Sequence, residues 1–172
     1  MMKIMFFTFT LILNIFYGFE LYAKSYDLDS LEQTTKKEKI ILDKEKITFV
    51  LFWATWCPNC KSKLDTQIPR WEKKYTHVNF VPLNIDKDPA RVKHYLAKNE
   101  ITRATFRDPK GVLTKSMNNN VAPYWAIFKW DTKSKRWENL KKDSGFDTTK
   151  IEIAFKNSHS RRMIASKNKK NN

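Results

Sequence analysis

The sequence predicts an α/β sandwich, a central sheet of mixed parallel and antiparallel strands flanked by helices. Three observations predict it. ITFVLFW at 47–53 is β-branched and aromatic, with no polar alternation beyond Thr48. That is the pattern of a strand buried on both faces. The stretch that follows carries Cys60, Leu64, Ile68, Trp71 and Tyr75 at spacings of 4, 4, 3 and 4, which is one face of a helix. Beyond it the patterns run strand, helix, then strand, strand, helix, an order that calls for mixed pairing.

The elements can be justified in chain order. Residues 1–23 open with Lys3, continue almost wholly apolar from Ile4 to Phe19, and reach a small residue at Ala23. This is the layout of a secretory signal peptide, with an uncleaved membrane anchor as the competing reading. Either way the remainder is expected to be exported, to the periplasm or another extracytoplasmic space. Residues 24–39 read as a polar surface lead-in with a short helix from Asp29 or Ser30. The domain proper is expected over 40–157, opening with a short strand, KIILD, at 39–43 and a turn at 44–46. After 47–53 and the helix, Pro69 should kink that helix because it removes a backbone donor. VNFVPLNI (78–85) is a second strand. Asp88 caps a helix with Pro89 at its first position and Val92, Tyr95 and Leu96 inward. Ala104–Arg107 is extended, Asp108–Gly111 a turn, and 112–117 a short helix. YWAIFKW behind Pro123 is a strand, RWENL pairs back on it, and 148–155 closes the domain as a helix. Residues 158–172 form a basic tail.

Composition narrows the function. The net charge is +15, from 33 Lys and Arg against 18 Asp and Glu. This reads first as a solvated, lysine-coated surface; an anionic surface met through the tail is the alternative, and export makes nucleic acid a poor partner. The three glycines, Gly18, Gly111 and Gly145, cannot compose GxGxxG or GxxxxGK[ST], which excludes phosphate cradles of those two kinds.

Both cysteines stand in one tetrapeptide, Cys57-Pro58-Asn59-Cys60. A structural zinc site wants four ligands; no second CxxC exists, and His77, His94 and His159 lie far off in sequence, so no metal ligands are assigned. Two thiolates could still hold a soft Cu(I) ion. A structural staple closing so short a loop restrains little chain entropy. A reversible redox pair accounts for more. Cys57 would sit at a helix N-terminus, where free N–H groups stabilise a thiolate. Cys57 would be exposed and Cys60, on the apolar stripe, shielded. An exposed attacker and a buried resolver are what two-step exchange requires.

FWATWCPNC, then a helix, a strand, a helix and an apolar strand opened by proline, resembles the thioredoxin superfamily. FWATWCxxC and the later DPKGVL and VAPYWAIF are most similar to its exported TlpA/ResA-like thiol–disulfide oxidoreductases. The resemblance implies a thioredoxin-like sandwich over about residues 40–157. It implies Cys57 as nucleophile and Cys60 as resolving thiol, with no cofactor beyond their disulfide. Trp56 would pack beside the disulfide, with Pro58 and Asn59 setting its redox poise. Pro123 would be a cis-proline opposite the CxxC, and Ala122 would offer backbone to a substrate peptide. Partners would be client protein thiols or disulfides and a thiol electron donor. The reducing direction follows relatives that mostly act as reductants in cytochrome c assembly or metal insertion. A non-catalytic Cu(I) or client-thiol chaperone on the same fold is the alternative.

Three positions depart from the family pattern. Leu51 stands where thioredoxins place a buried aspartate, and Lys63 where the TlpA/ResA-like group often has a glutamate. The helix proline, Pro69, comes nine residues after Cys60. The missing acids would have relayed the resolving thiol's proton, so exchange should be slower or differently tuned. Lys63, one helical turn from Cys60, reads either as a solvated lysine beside the apolar stripe or as a charge that lowers the thiol pKa of the site. Trp53, Trp71, Trp125 and Trp130 read as packing, and Asp86 and Asp88 as a loop residue and a helix cap.

Overall fold

The computed structural model of the chain describes residues 26–35, 38–118 and 121–158. The expected leader and nearly all of the basic tail lie outside the described residues. The elements run β1 (Glu32–Gln33), β2 (Ile47–Trp53), and a helix α1 in three stretches, Cys60–Ser62, Lys63–Gln67 and Ile68–Lys74. Then come β3 (Val78–Asn84), α2 (Pro89–Lys98), β4 (Phe106–Arg107), α3 (Val112–Met117), β5 (Tyr124–Asp131) and β6 (Arg136–Ser144). A last helix, α4, is described over 148–158.

All seven residues of β2 are buried. The strand lies inside a single sheet of order β1-β4-β3-β2-β5-β6. It pairs parallel with β3, from Ile47 opposite Val78 to Trp53 opposite Asn84. On its other side it pairs antiparallel with β5, from Phe52 opposite Tyr124 to Thr48 opposite Phe128. The expected mixed pairing is therefore present. Successive side chains of a strand face opposite ways. Phe49, Leu51 and Trp53 enter one core with Leu64, Ile68 and Trp71 of α1 and Ile151 and Phe155 of α4. Val50 and Phe52 enter the other with Leu113 and Met117 of α3. Phe49 makes edge-to-face contacts with Trp71 and Phe155, ring centroids 5.8 and 5.3 Å apart, which lock α1 and α4 to the sheet. Glu152 of α4 adds a polar tie. Its carboxylate accepts from Lys74 Nζ at 2.7 Å, Tyr75 OH at 2.6 Å and Trp71 Nε1 at 2.9 Å. Those three donors bring its pKa down to about 2.

Pro69 acts on α1 through hydrogen bonding. The Ile68 N–H reaches back five residues to the Lys63 carbonyl, a π-type bond, over Lys63–Gln67. The Leu64 carbonyl is thereby passed over, and the next residue, Pro69, has no N–H to offer it. Arg103 supplies the donor: its Nη1 lies 3.2 Å from Leu64 O, while Nη2 meets Glu72 Oε1 at 2.6 Å. Where a kink was expected at Pro69, the helix shows this change of hydrogen-bond register just before it. The five apolar positions read on the helix face are all buried.

Elsewhere the turns follow side-chain chemistry. Asp88 Oδ1 accepts from the Ala90 N–H at 2.9 Å and caps α2. Gly111 has φ 65°, the left-handed value its turn needs. The segment before residue 40 departs from expectation. The proposed helix at Asp29 or Ser30 is a turn, closed by Ser30 N–H on Asp27 Oδ1 at 3.0 Å. Glu32 and Gln33 pair with Arg107 and Phe106 as an antiparallel edge strand. Leu28 and Leu31 are fully buried, so this lead-in is part of the core, not a surface segment. KIILD is not a strand: only Lys39 bridges, to Glu32, and Ile41 is 97% exposed. Of the four tryptophans read as packing, Trp53, Trp71 and Trp125 are fully buried. Trp130 is half-buried beneath Lys44 Nζ, 3.7 Å from its ring.

Leu31→Ala should cost about 2–5 kcal/mol in urea unfolding, the range for a buried leucine. A change within about 0.5 kcal/mol, the range for surface sites, would return the segment to the surface.

Candidate active site

The site is the chain leaving β2. The buried strand ends at Trp53, whose carbonyl accepts from the Ile85 N–H at 2.9 Å. The chain must turn there, and the Cys57 N–H donates back to the Ala54 carbonyl at 3.1 Å. A second turn follows, with the Cys60 N–H on the Cys57 carbonyl at 3.3 Å. Cys57 and Cys60 are disulfide-bonded, S–S 2.06 Å, with Cα atoms 5.5 Å apart. Pro58 and Asn59, between them, are exposed.

Two local expectations need correction. The helix starts at Cys60 with Asn59 as its N-cap, so Cys57 and Pro58 lie in the preceding turn and not in the first helical turn. The Cys57 residue is also not the exposed member of an unequal pair. It is 2% exposed against 0% for Cys60, and both belong to the core that contains Leu51 and Leu64. The cause is the inward bond of its N–H to Ala54 together with the link to a fully buried Cys60 sulfur.

Asp86 holds this loop from outside. Its Oδ2 accepts from the Thr55 N–H at 2.8 Å and from Asn84 Nδ2 at 2.9 Å. Its Oδ1 accepts from Thr55 Oγ1 at 2.9 Å. Asn84 Oδ1 in turn accepts from the Asp86 N–H at 2.9 Å. The end of β3 thus grips the residue two places before Cys57. Sequence reasoning read Asp86 only as a loop residue. No local pattern marks the bridge, because its partners are 31 residues apart.

The other site residues fall around the disulfide. The Ala122–Pro123 peptide is cis. Pro123 precedes β5, whose Tyr124 lies opposite Phe52 near the end of β2. Its carbonyl accepts from Gly145 N–H at 2.9 Å, and Ala122 packs on the core that holds both cysteines. Trp56, expected to pack beside the disulfide, is 53% exposed and lines a groove with Ile85, Asp86, Lys87, Asp88 and Arg91. Lys63 has its Nζ 5.0 Å from the Phe146 ring centroid, a cation–π contact that the sequence did not suggest. Leu51, at the position where an aspartate was the family expectation, is fully buried in apolar company. Among the described residues, no cluster of three or more His, Cys, Asp or Glu side chains is arranged to hold a metal ion.

A family model described as thioredoxin-like matches residues 44–133. The chain belongs to the thioredoxin-like family. Among similar thioredoxin-like proteins is the thiol-disulfide oxidoreductase YkuV of Bacillus subtilis (strain 168), 30% identical over 90 residues, covering 49% of this chain and 60% of that protein. A thioredoxin-like protein of Haemophilus influenzae is 35% identical over 82 residues, covering 48% of each. The chain spans about half the length of the curated relatives it matches. Solved structures show the same fold. The N-terminal domain of PilB from Neisseria gonorrhoeae superposes with a TM-score of 0.61 at 20% identity, covering 76% of this chain and 89% of that one. StoA from Bacillus subtilis gives 0.56 at 23%, covering 74% and 97%.

Asp86→Ala strips the acceptor from the Thr55 N–H and hydroxyl, and should destabilise the oxidised protein by about 1–3 kcal/mol in urea. Thr55→Val, which keeps the N–H bond, should cost less. Equal losses, or none, would show that the bridge does not hold the loop.

Proposed function

We propose that the chain is an exported thiol–disulfide oxidoreductase that reduces client disulfides by exchange at Cys57 and Cys60. The observation that carries this reading is the bonded pair itself. It lies in a turn at the end of a fully buried strand, with two exposed residues between the sulfurs. Membership of the thioredoxin-like family and the name of the YkuV relative support it. The apolar stretch from Ile4 to Phe19 supports export, and the analogy with TlpA/ResA-like proteins supports the reducing direction.

The exchange balances in two displacements. In the reduced protein the Cys57 thiolate attacks one sulfur of the client disulfide, and the other client sulfur leaves as a thiolate. The Cys60 sulfur, losing its proton to solvent, then attacks the Cys57 sulfur and expels the first client sulfur. Two electrons pass to the client, and the protein is left with the Cys57–Cys60 bond seen in the structure. A dithiol donor must return two electrons by the reverse route. No cofactor beyond the disulfide takes part. The rigid turn brings the two sulfurs within bonding reach, so resolution needs little rearrangement. Ala122 and cis-Pro123, beside the end of β2, offer backbone to the client, and Trp56, Pro58 and Asn59 form the rim. Lys63 supplies positive charge on the helix that carries Cys60. Leu51 leaves that strand position without a carboxylate relay, which slows or retunes proton transfer at Cys60. The basic tail after residue 158 meets an anionic surface.

Cys60→Ser should accumulate mixed disulfides with clients through Cys57, seen on non-reducing gels and released by dithiothreitol. Cys57→Ser should not. Equal trapping by both variants would overturn the assignment of attacker and resolver.

A further inference from the structure

A groove at Trp56, the residue before Cys57, has a volume of about 570 Å³ and is lined also by Ile85, Asp86, Lys87, Asp88 and Arg91. Its two signs of charge are not equivalent. Asp86 is turned inward, with both oxygens taken by Thr55 and Asn84 donors. Asp88 has Oδ1 on the Ala90 N–H. Lys87 and Arg91 are both exposed, and among the described residues neither has an ion-pair partner. Other cations close by are already engaged: Lys61 with Asp65 at 2.7 Å, and Lys63 over Phe146. The lining is neutral in formal charge, two acids against two bases, but its hydrogen-bond donors are in surplus, including a guanidinium shaped for a carboxylate. Its apolar part is Ile85 and Trp56, and Trp56 directly precedes Cys57, which puts the groove within reach of the residues that flank a client cysteine at Cys57.

We propose that this groove takes a carboxylate side chain of the client, close in sequence to the cysteine under attack. Disulfides flanked by Asp or Glu are then the preferred substrates. The inference rests on the redox reading above and adds a substrate class to it. Lys87 and Arg91 act through client binding and steering, not on the sulfur chemistry.

The test uses the reduced full chain and three synthetic disulfide peptides that differ only in Glu, Gln or Lys next to the reacting cysteine. The Glu peptide should be reduced about five- to tenfold faster than the Lys peptide at low salt, with Gln between, and the gap should narrow in high salt. The double variant K87E/R91E should reverse the order; should it fail to fold, K87Q/R91Q should flatten it. K133E/K135E makes the same change in net charge in the β5–β6 turn, at the opposite end of β5 from Pro123, and should keep the wild-type order. No preference in the wild type, or equal loss of preference in both charge-reversed variants, would overturn the groove and leave only the general +15 charge as the cause. If the wild type reduces none of the peptides and no small neutral disulfide such as hydroxyethyl disulfide, the redox reading fails and takes this inference with it.

Discussion

The constraint on which the rest depends is that β2 has no solvent face. Every residue from Ile47 to Trp53 is buried, and the strand is paired along both edges. A one-residue slip would exchange Phe49, Leu51 and Trp53 with Val50 and Phe52 and disrupt both cores at once, so the register is firmly held. The end of such a strand is a fixed point. The chain leaves it between a parallel neighbour, β3, and an antiparallel one, β5. These deliver Asp86 on one side and the cis peptide before Pro123 on the other. The disulfide sits in the turn that results.

Much of this architecture is written in local patterns. The apolar run of β2, the stripe from Cys60 to Tyr75, the Asp88 cap with Pro89, and the Asp108–Gly111 turn each state their conformation within a few residues. The CxxC is similarly local. What was not legible depends on residues distant in sequence. Leu28 and Leu31 are two apolar residues in a polar stretch, with no period to mark them, and only the packing of 26–35 on β4 and the second core shows their role. KIILD has the composition of a strand, but only Lys39 bridges to the sheet edge at Glu32, and Ile41 is exposed. The Arg103 contact with the Leu64 carbonyl follows from Pro69, yet nothing near Pro69 names Arg103, 39 residues from Leu64. The near-complete burial of Cys57 was missed because a helix mouth suggests exposure, whereas the turn onto Ala54 draws the residue inward.

The chemistry assigned to the site follows from this placement. Both cysteines are buried, and the exposed Pro58–Asn59 edge is where the loop that carries them meets solvent. Trp56 shares a groove with Lys87 and Arg91, which have no ion-pair partner among the described residues, and Ala122 and Pro123 immediately precede β5. In the proposed exchange, the turn that buries the sulfurs also keeps them close, which would favour ring closure after attack on a client. Leu51 adds an apolar side chain, where the family expectation was a carboxylate, to the core that holds the pair.

The most direct measurement is the redox equilibrium of the Cys57–Cys60 pair against a graded thiol–disulfide buffer, followed by alkylation of the freed thiols. The account predicts reversible opening as a single two-electron step, with a midpoint at roughly −200 mV or below, in the range of reducing members of the superfamily. A pair that stays closed in excess dithiol would contradict an exchange site. A midpoint near about −120 mV, the region of a strong oxidant, would contradict the reducing direction.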